Sequence, residues 1–336
     1  MTRSATAIAH PNIALAKYWG KRDGEGNVPA VPSLSVTLAG MSTTTTVSFD
    51  DTLVDDELVM NGTTEHAASR AKVRATQLLD RVRAAGSTVS GTTRARIVTA
   101  NDFPTASGLA SSASGFAALA LASVRAAGLD WSAGRVADLA RRSSASAARS
   151  IFGGFVELDG GVDCVAGEAC ARAVAGPSAL AMRVLVCVTT EDAKSTSSTD
   201  GMKTTQLASP YYAAWVADAP QAHRALRDAL LAGDFTRVGE LAERSALAMH
   251  ACAMAAGIVY VTGATLAALA EVRGMRAAGL EAYATIDAGP HLKCLLRAEN
   301  AAAARENLER VPGVIRVIDT APGEGARILE NDRPAQ

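Results

Sequence analysis

Residues 103–119 read FPTASGLASSASGFAAL. Pro104 and Gly108 mark a loop, and the chain from Ala110 onward is a run of small helix formers. Ser111 and Ser112 therefore fall in the first turn of a helix. A helix start carries unpaired N–H groups and a partial positive charge. Small residues let an anion reach those groups, and serine hydroxyls add donors, which together make a phosphate cradle. The same residues also make an ordinary capped helix start with a tight turn, and local chemistry leaves both readings open. No GxxxxGK[ST], no complete GxGxxG after a strand and no HExxH occurs. A nucleotide held at this loop is thus not in a Walker-type site.

Other residues of chemical interest lie far from this loop in sequence. Asp287 follows Tyr-Ala-Thr-Ile and precedes Ala-Gly-Pro, which places it where a strand gives way to a turn. A carboxylate on such a rigid end can take or orient a proton; it can equally cap the turn. Arg149 closes the small-residue run Ser-Ser-Ala-Ser-Ala-Ala. Its planar fork of donors matches a carboxylate bidentately, whereas the neighbouring Arg141 and Arg142 read as surface charge. Lysine is scarce, yet Lys17 and Lys21 flank Tyr18-Trp19-Gly20, which sets them apart from surface decoration. Ile13 and Leu15 beside them read as strand core. The five histidines show no metal-ligand spacing, and His250 and Cys252 fall on a helix where packing is their expected role.

The elements that must position these groups are legible from periodicity. Strands are expected at 42–50, 92–101, 180–189 and 282–286, where β-branched or alternating apolar residues dominate. Amphipathic spacing predicts helices over 65–85, from the opening loop to about Gly128, and over 131–142, 222–231, 235–254, 261–278 and 301–309. Residues 151–159 read as a turn then a strand, with further short elements at 293–297 and 314–319. KSTSSTDGMKTT, 194–205, reads as a flexible polar stretch. Gly176-Pro177 divides two halves that mix strands and helices without a strict βαβ rhythm, so α+β is favoured over a doubly wound sheet.

The formal net charge of −1 over 336 residues provides no general field for nucleic acid or an anionic membrane, so any anion site must be local. The N-terminus lacks a useful signal-peptide core, and no apolar run is long enough to span a bilayer. Five cysteines, an odd number without CxxC spacing, read as buried free thiols in a reducing compartment. A cytoplasmic protein is expected.

Gly108-Leu-Ala-Ser-Ser-Ala-Ser114 after a Pro resembles the phosphate loop of the GHMP kinases, the superfamily of galactokinase, homoserine kinase and mevalonate kinase. Asn12-Ile-Ala-Leu-Ala-Lys-Tyr-Trp-Gly-Lys21 with Arg22-Asp23, Ser143–Gly154, Ser197-Ser-Thr-Asp-Gly-Met202 and Thr285-Ile-Asp-Ala-Gly-Pro290 narrow the resemblance to the mevalonate diphosphate decarboxylases. The five stretches lie in that family's order and cover residues 6 to about 298. The resemblance implies a two-lobed GHMP-kinase fold, with a ribosomal protein S5 domain 2-like N-terminal lobe over 1–178 and a ferredoxin-like α/β C-terminal lobe over 179–330. It implies a homodimer that uses ATP and Mg²⁺ to convert mevalonate 5-diphosphate to isopentenyl diphosphate. It places Asp287 on the tertiary hydroxyl, Arg149 on the substrate carboxyl group and Lys17 in the active site. It assigns Asn12, Tyr18, Trp19, Gly20, Lys21, Ser144, Ser146, Ser198 and Thr199 to substrate, the last two as substrate or nucleotide contacts on closure. It assigns Ser107, Gly108, Ala110, Ser111, Ser112 and Arg74 to the nucleotide, with Arg70 as the alternative to Arg74 and Ser112 beside Mg²⁺. Two departures stand out. His291 replaces the family's usual Asn and carries an expectation of added pH sensitivity, and alanine replaces the frequent cysteine before Arg149. A mevalonate 3-kinase, a monophosphate decarboxylase and a non-catalytic binding protein are the competing readings.

Overall fold

The computed structural model describes residues 3–22, 26–86, 89–103, 111–160, 170–192 and 195–330. The first half supplies strands β1 (Ser4–Ala9), β2 (Asn12–Ala16), β3 (Ser33–Thr37), β4 (Thr43–Asp50), β5 (Glu57–Met60) and β6 (Thr63–Thr64). Helix α1 (Arg70–Arg83), β7 (Arg94–Asn101), α2 (Ser111–Ala126), α3 (Ala133–Ser143), a 3₁₀ segment (Ala145–Ile151), β8 (Phe155–Leu158) and β9 (Ala171–Ala175) follow. The second half supplies β10 (Met182–Val188), α4 (Ser198–Ala208), α5 (Tyr212–Leu231), α6 (Phe235–Met254) and α7 (Gly263–Ala277). It ends with β11 (Ala282–Ile286), β12 (Leu292–Arg297), α8 (Ala301–Glu309), β13 (Arg316–Thr320) and β14 (Arg327–Leu329).

These strands form three sheets, ordered β14-β1-β4-β7-β5-β6, β2-β3-β8-β9 and β11-β12-β10-β13. Every described pairing is antiparallel except β5 with β7. The architecture is α+β, as the unrhythmic mixture of elements led one to expect. On β4, alternate residues are buried; Val47 and Phe49 meet Leu78, Leu79 and Val82 of α1 in the first core. Helices α5 and α6 lie between sheets. Their Leu226, Leu230, Val238 and Leu241 join Leu34 and Val36 of β3 to Val184 and Val186 of β10. The other face of the third sheet is covered by α7 and α8. The last strand returns to the first sheet, with Leu329 opposite Thr6.

The boundaries of α6, β11 and α8 fall where periodicity placed them, and four expectations need correction. Helix α1 starts at Arg70 rather than Glu65, because Ser69 caps it by accepting a hydrogen bond from Lys72 N at 3.1 Å. The polar stretch expected to be flexible is largely α4, capped by Ser197, whose Oγ accepts from Asp200 N at 3.2 Å. Helix α5 begins ten residues early and contains Pro220; packing against α6 outweighs the hydrogen bond that Pro removes. Cys187, Cys252 and Cys294 are buried free thiols as expected, but Cys170 is disulfide-bonded. Pairing depends on Cα atoms coming within roughly 7 Å, which sequence spacing does not reveal. Cys164 lies outside the described residues.

Candidate active site

A cavity of about 530 Å³ opens between the end of β2, the 3₁₀ segment, the starts of α1, α2 and α4, and the end of β11. Asp287 follows the last residue of β11. Gly289 N bonds Asp287 O at 2.7 Å to close the turn. The turn is anchored by Pro290 O, which accepts from Thr265 Oγ1 at 2.6 Å and Thr189 Oγ1 at 3.1 Å. The Asp287 carboxylate lies between two ammonium groups, Lys17 Nζ at 2.7 Å from Oδ1 and Lys293 Nζ at 3.3 Å from Oδ2. Lys17 comes directly after β2; its Nζ donates to Ala14 O at 2.8 Å and its backbone N to Ser245 Oγ of α6 at 3.0 Å. The lysine side chains are 2% and 1% exposed, against 24% for Asp287, so the carboxylate is the most open member of the trio; Asp287 and Lys17 are among the lining residues and Lys293 is not.

Burial alone would raise the Asp287 pKa, but the two ammonium groups outweigh it and hold the carboxyl well below its ordinary value. Burial lowers Lys17 to about 8; Asp287 opposes that shift, while Lys293 and Arg149 add to it. At neutral pH Asp287 is ionised and Lys17 mostly protonated. A carboxylate held this low is a weak base. It is suited to accept a hydroxyl's hydrogen bond and fix its direction, and much less to remove a proton from an unreacted alcohol.

Arg149 projects from the 3₁₀ segment and is 2% exposed. Its Nη1 donates to Ser33 Oγ at 2.8 Å and its Nε to Asn12 Oδ1 at 3.4 Å. Asn12 also donates to Ser146 O at 3.0 Å and Ser150 Oγ at 2.7 Å, tying β2 to the segment that carries the arginine. Burial brings the Arg149 pKa down to about 10, which leaves it charged. Ser144 and Ser146 line the same wall, their hydroxyls 3.3 Å apart. Tyr18 and Trp19 border the cavity with a buried phenol O–H and indole N–H that find no hydrogen-bond partner among the described residues. Trp19 is otherwise core, 1% exposed and edge-on to Tyr260 at 5.9 Å. Gly20 adopts φ +108°, with the Tyr212 hydroxyl where a Cβ would sit. It shapes this corner and is not among the lining residues.

The far end is cationic. Lys21, Arg70, Arg74 and Arg142 line it. Lys21 Nζ donates to Asn27 Oδ1 at 2.7 Å and to Thr199 Oγ1 at 3.2 Å. Arg74 donates to Ser143 O and lies over the Phe116 ring at 4.4 Å. Arg70 is 3.8 Å from Asp200. Burial lowers both Lys21 and Arg74, and the neighbouring arginines push the same way. Two helix starts face this region: Ser111 and Ser112 on α2, Ser197 to Thr199 on α4. Such a grouping is an anion site. Arg70 and Arg74 both line it. Ser107, Gly108 and Ala110 lie outside the described residues.

Several residues went unnoticed in sequence. Lys293, Ser33 and Asn27 carried no motif; for Lys293, the rarity of lysine, six in the whole chain, was the available signal, and Arg142, read as surface charge, lines the cavity. Arg141, expected on the surface, is 0% exposed and salt-bridged to Asp138 at 2.6 Å. His291 corrects another expectation. It is 0% exposed, its Nδ1 accepts from Thr189 N at 3.2 Å, and burial, then Lys293 and Arg316, lower its pKa to about 3. It stays neutral at physiological pH and confers no pH sensitivity there.

Three antiparallel-rich sheets around a cleft with two helix starts, a clamped carboxylate and a cationic end define an α+β enzyme of the GHMP-kinase fold. Residues 9–171 match the diphosphomevalonate decarboxylase-like N-terminal domain, and residues 184–325 match the mevalonate 5-diphosphate decarboxylase C-terminal domain. The chain belongs to the mevalonate diphosphate decarboxylase family. It is 35% identical to diphosphomevalonate decarboxylase of Candida albicans, over 86% of this chain and 83% of that one. It is 36% identical to phosphomevalonate decarboxylase of Haloferax volcanii, over 81% of each. A solved complex of MDDEF with MVAPP, AMPPCP and magnesium superposes with a TM-score of 0.89 at 36% identity, covering 98% of this chain and 99% of that one.

Proposed function

We propose that this chain catalyses the ATP-dependent decarboxylation of mevalonate 5-diphosphate to isopentenyl diphosphate, ADP, phosphate and CO₂. The observation that carries the reading is the placement, in one cavity, of a clamped carboxylate, a buried fork of guanidinium donors and a cluster of four cations. The substrate diphosphate belongs with Lys21, Arg70 and Arg74, near Tyr18 and Trp19. Its carboxyl group belongs with Arg149, beside Ser144 and Ser146, in a pocket braced by Asn12. The tertiary hydroxyl then meets Asp287, and the nucleotide phosphates meet Ser111, Ser112, Ser198 and Thr199.

The hydroxyl oxygen attacks the γ-phosphorus as the bond to the ADP oxygen breaks. Asp287 orients the hydroxyl and, once the new O–P bond has made its proton acidic, is in place to receive it; Lys17 offsets the gathering negative charge. Departure of phosphate with the C3–O electron pair leaves C3 electron-poor. The C1–C2 pair becomes the C2–C3 double bond, and CO₂ leaves from Arg149. Among the described residues no cluster of three His, Cys, Asp or Glu could hold a metal. When bound, Mg²⁺ would neutralise charge on the nucleotide phosphates, with Ser112 the proposed protein oxygen beside it. Division into lobes 1–178 and 179–330, homodimerisation and a cytoplasmic location are parts of the same proposal, resting on the family resemblance. Light scattering tests the dimer.

A monophosphate substrate is the second reading, favoured by the similarity to the Haloferax volcanii enzyme; the number of cations at the far end favours the diphosphate. The deciding experiment mixes the protein with Mg-ATP and mevalonate, its 5-phosphate or its 5-diphosphate, and follows ADP and CO₂ together. Equal release, fastest with the diphosphate, is expected. ADP without CO₂ would make it a 3-kinase. Silence with all three would make it a binding protein.

A further inference from the structure

We propose that Lys293 is a positioning residue for phosphoryl transfer: it clamps the second carboxylate oxygen of Asp287, so that the carboxylate meets the hydroxyl in one fixed orientation. The proposal rests on the functional reading above.

Its basis is the register of the third sheet. Lys293 lies on β12, between β11 and β10, opposite Thr285 and Val186. Asp287 is two residues beyond Thr285, so the two side chains are diagonal neighbours on one face of the sheet. Lys293 Nζ reaches Asp287 Oδ2 at 3.3 Å and His291 O at 3.3 Å. Lys17 arrives from β2 and takes Oδ1 at 2.7 Å. One ammonium would leave the carboxylate free to swing about its terminal torsion. Two of them, on opposite oxygens and from different sheets, remove that freedom.

A buried ammonium in a central strand is costly where methionine would pack without charge. Lys293 is 1% exposed, and its described ion pair is with the carboxylate at the cavity floor. The charged and titratable groups around the trio are Arg149 on the 3₁₀ segment, His250 on α6, Cys187 on β10 and His291 in the turn. His250 and His291 are both lowered by burial, to about 4 and about 3, and Cys187 is raised to about 12. None of them changes charge near neutrality, so Lys17 is the group of this set that titrates close to the working range.

The test compares wild type, Lys293→Met, Lys293→Arg, Asp287→Asn and the Lys293→Met/Asp287→Asn double variant. Lys293→Met is expected to lower kcat roughly ten- to hundred-fold, the worth of one charge-assisted contact, with KM for both substrates within about threefold. Lys293→Arg should recover part of the loss. The alkaline limb of kcat/KM, set near 8 by Lys17, should move to higher pH in Lys293→Met, because a like charge has gone. In the Asp287→Asn background the same substitution should change residual turnover by less than about twofold. A merely structural lysine would lower activity without moving that limb and would act alike in both backgrounds; this result overturns the proposal. Thermal melting of the four-protein cycle at pH 7 supplies a readout independent of turnover. Non-additive effects are expected, and additive ones overturn the proposal even if the protein turns over no substrate, whereas inactive wild type with a coupled cycle would overturn the functional reading alone. If Lys293→Met does not fold, Lys293→Arg takes its place in the cycle.

Discussion

Replacing Arg149 by lysine keeps the positive charge and removes the fork. In the structure Nη1 and Nε are engaged with Ser33 and Asn12 at 2.8 and 3.4 Å, which fixes the guanidinium plane and leaves its remaining N–H groups for a two-pronged contact with a carboxylate. A lysine has one nitrogen. If it reaches the substrate it forfeits at least one charge-assisted hydrogen bond of about 2 kcal/mol, and it also strips a donor from Asn12 or Ser33. At about 1.4 kcal/mol per factor of ten, kcat/KM for mevalonate 5-diphosphate should fall between roughly 30- and 300-fold. Arg149→Met, which removes the charge too, should fall further. The assay measures initial rates of ADP and CO₂ on the same sample. If Arg149 holds the carboxyl group for departure, the lysine variant should release more ADP than CO₂, because phosphorylated substrate escapes or hydrolyses before carbon is lost. A variant within about threefold of wild type, releasing the two products equally, would refute the assignment of Arg149 to the carboxylate.

Three further outcomes follow from the same geometry. Lys21→Met, at the cationic end, should raise KM for the diphosphate substrate roughly tenfold while changing kcat little, and should weaken the salt dependence of KM; a fall in kcat alone would contradict a binding role. Gly20→Ala introduces a Cβ at φ +108° against the Tyr212 hydroxyl and should lower stability by about 1–3 kcal/mol in urea unfolding; an unchanged midpoint would show that the corner relaxes freely. Asp287 is held below its unfolded value of 3.8, so its ionised form stabilises the fold above that pH and the contribution drains away as pH falls beneath it. The stability gap between wild type and Asp287→Asn should therefore shrink from pH 6 to pH 3, and a gap that stays constant would mean that the carboxylate is not clamped.

What the sequence could and could not reveal divides along physical lines. Helix α6 and strand β11 were legible because each buries residues in a pattern that its own few turns or pleats impose. Asp287 and Arg149 stood out as candidates because a carboxylate at a strand end and an arginine after small residues are local facts, but their roles came from the family resemblance, since local chemistry left the turn cap and the surface arginine open. The return of β14 to pair with β1 was not, since the pairing joins residues more than 300 positions apart and a three-residue strand has no pattern of its own. The first ten residues of helix α5 were missed; packing against α6 sustains the helix through Pro220. The consequential miss was Lys293. In Leu292-Lys-Cys-Leu-Leu296 it looks like an interruption of a buried strand, the usual mark of an edge or an error in register. Its meaning appears only when β11 is laid beside β12 and the turn residue Asp287 comes over the same face. From sequence, Asp287 stood open as a base or as an orienting group, because the aspartate was seen alone. An ammonium on each oxygen favours the orienting role in the proposed reaction, in which the proton of the tertiary hydroxyl would depart only after phosphorus has begun to bond.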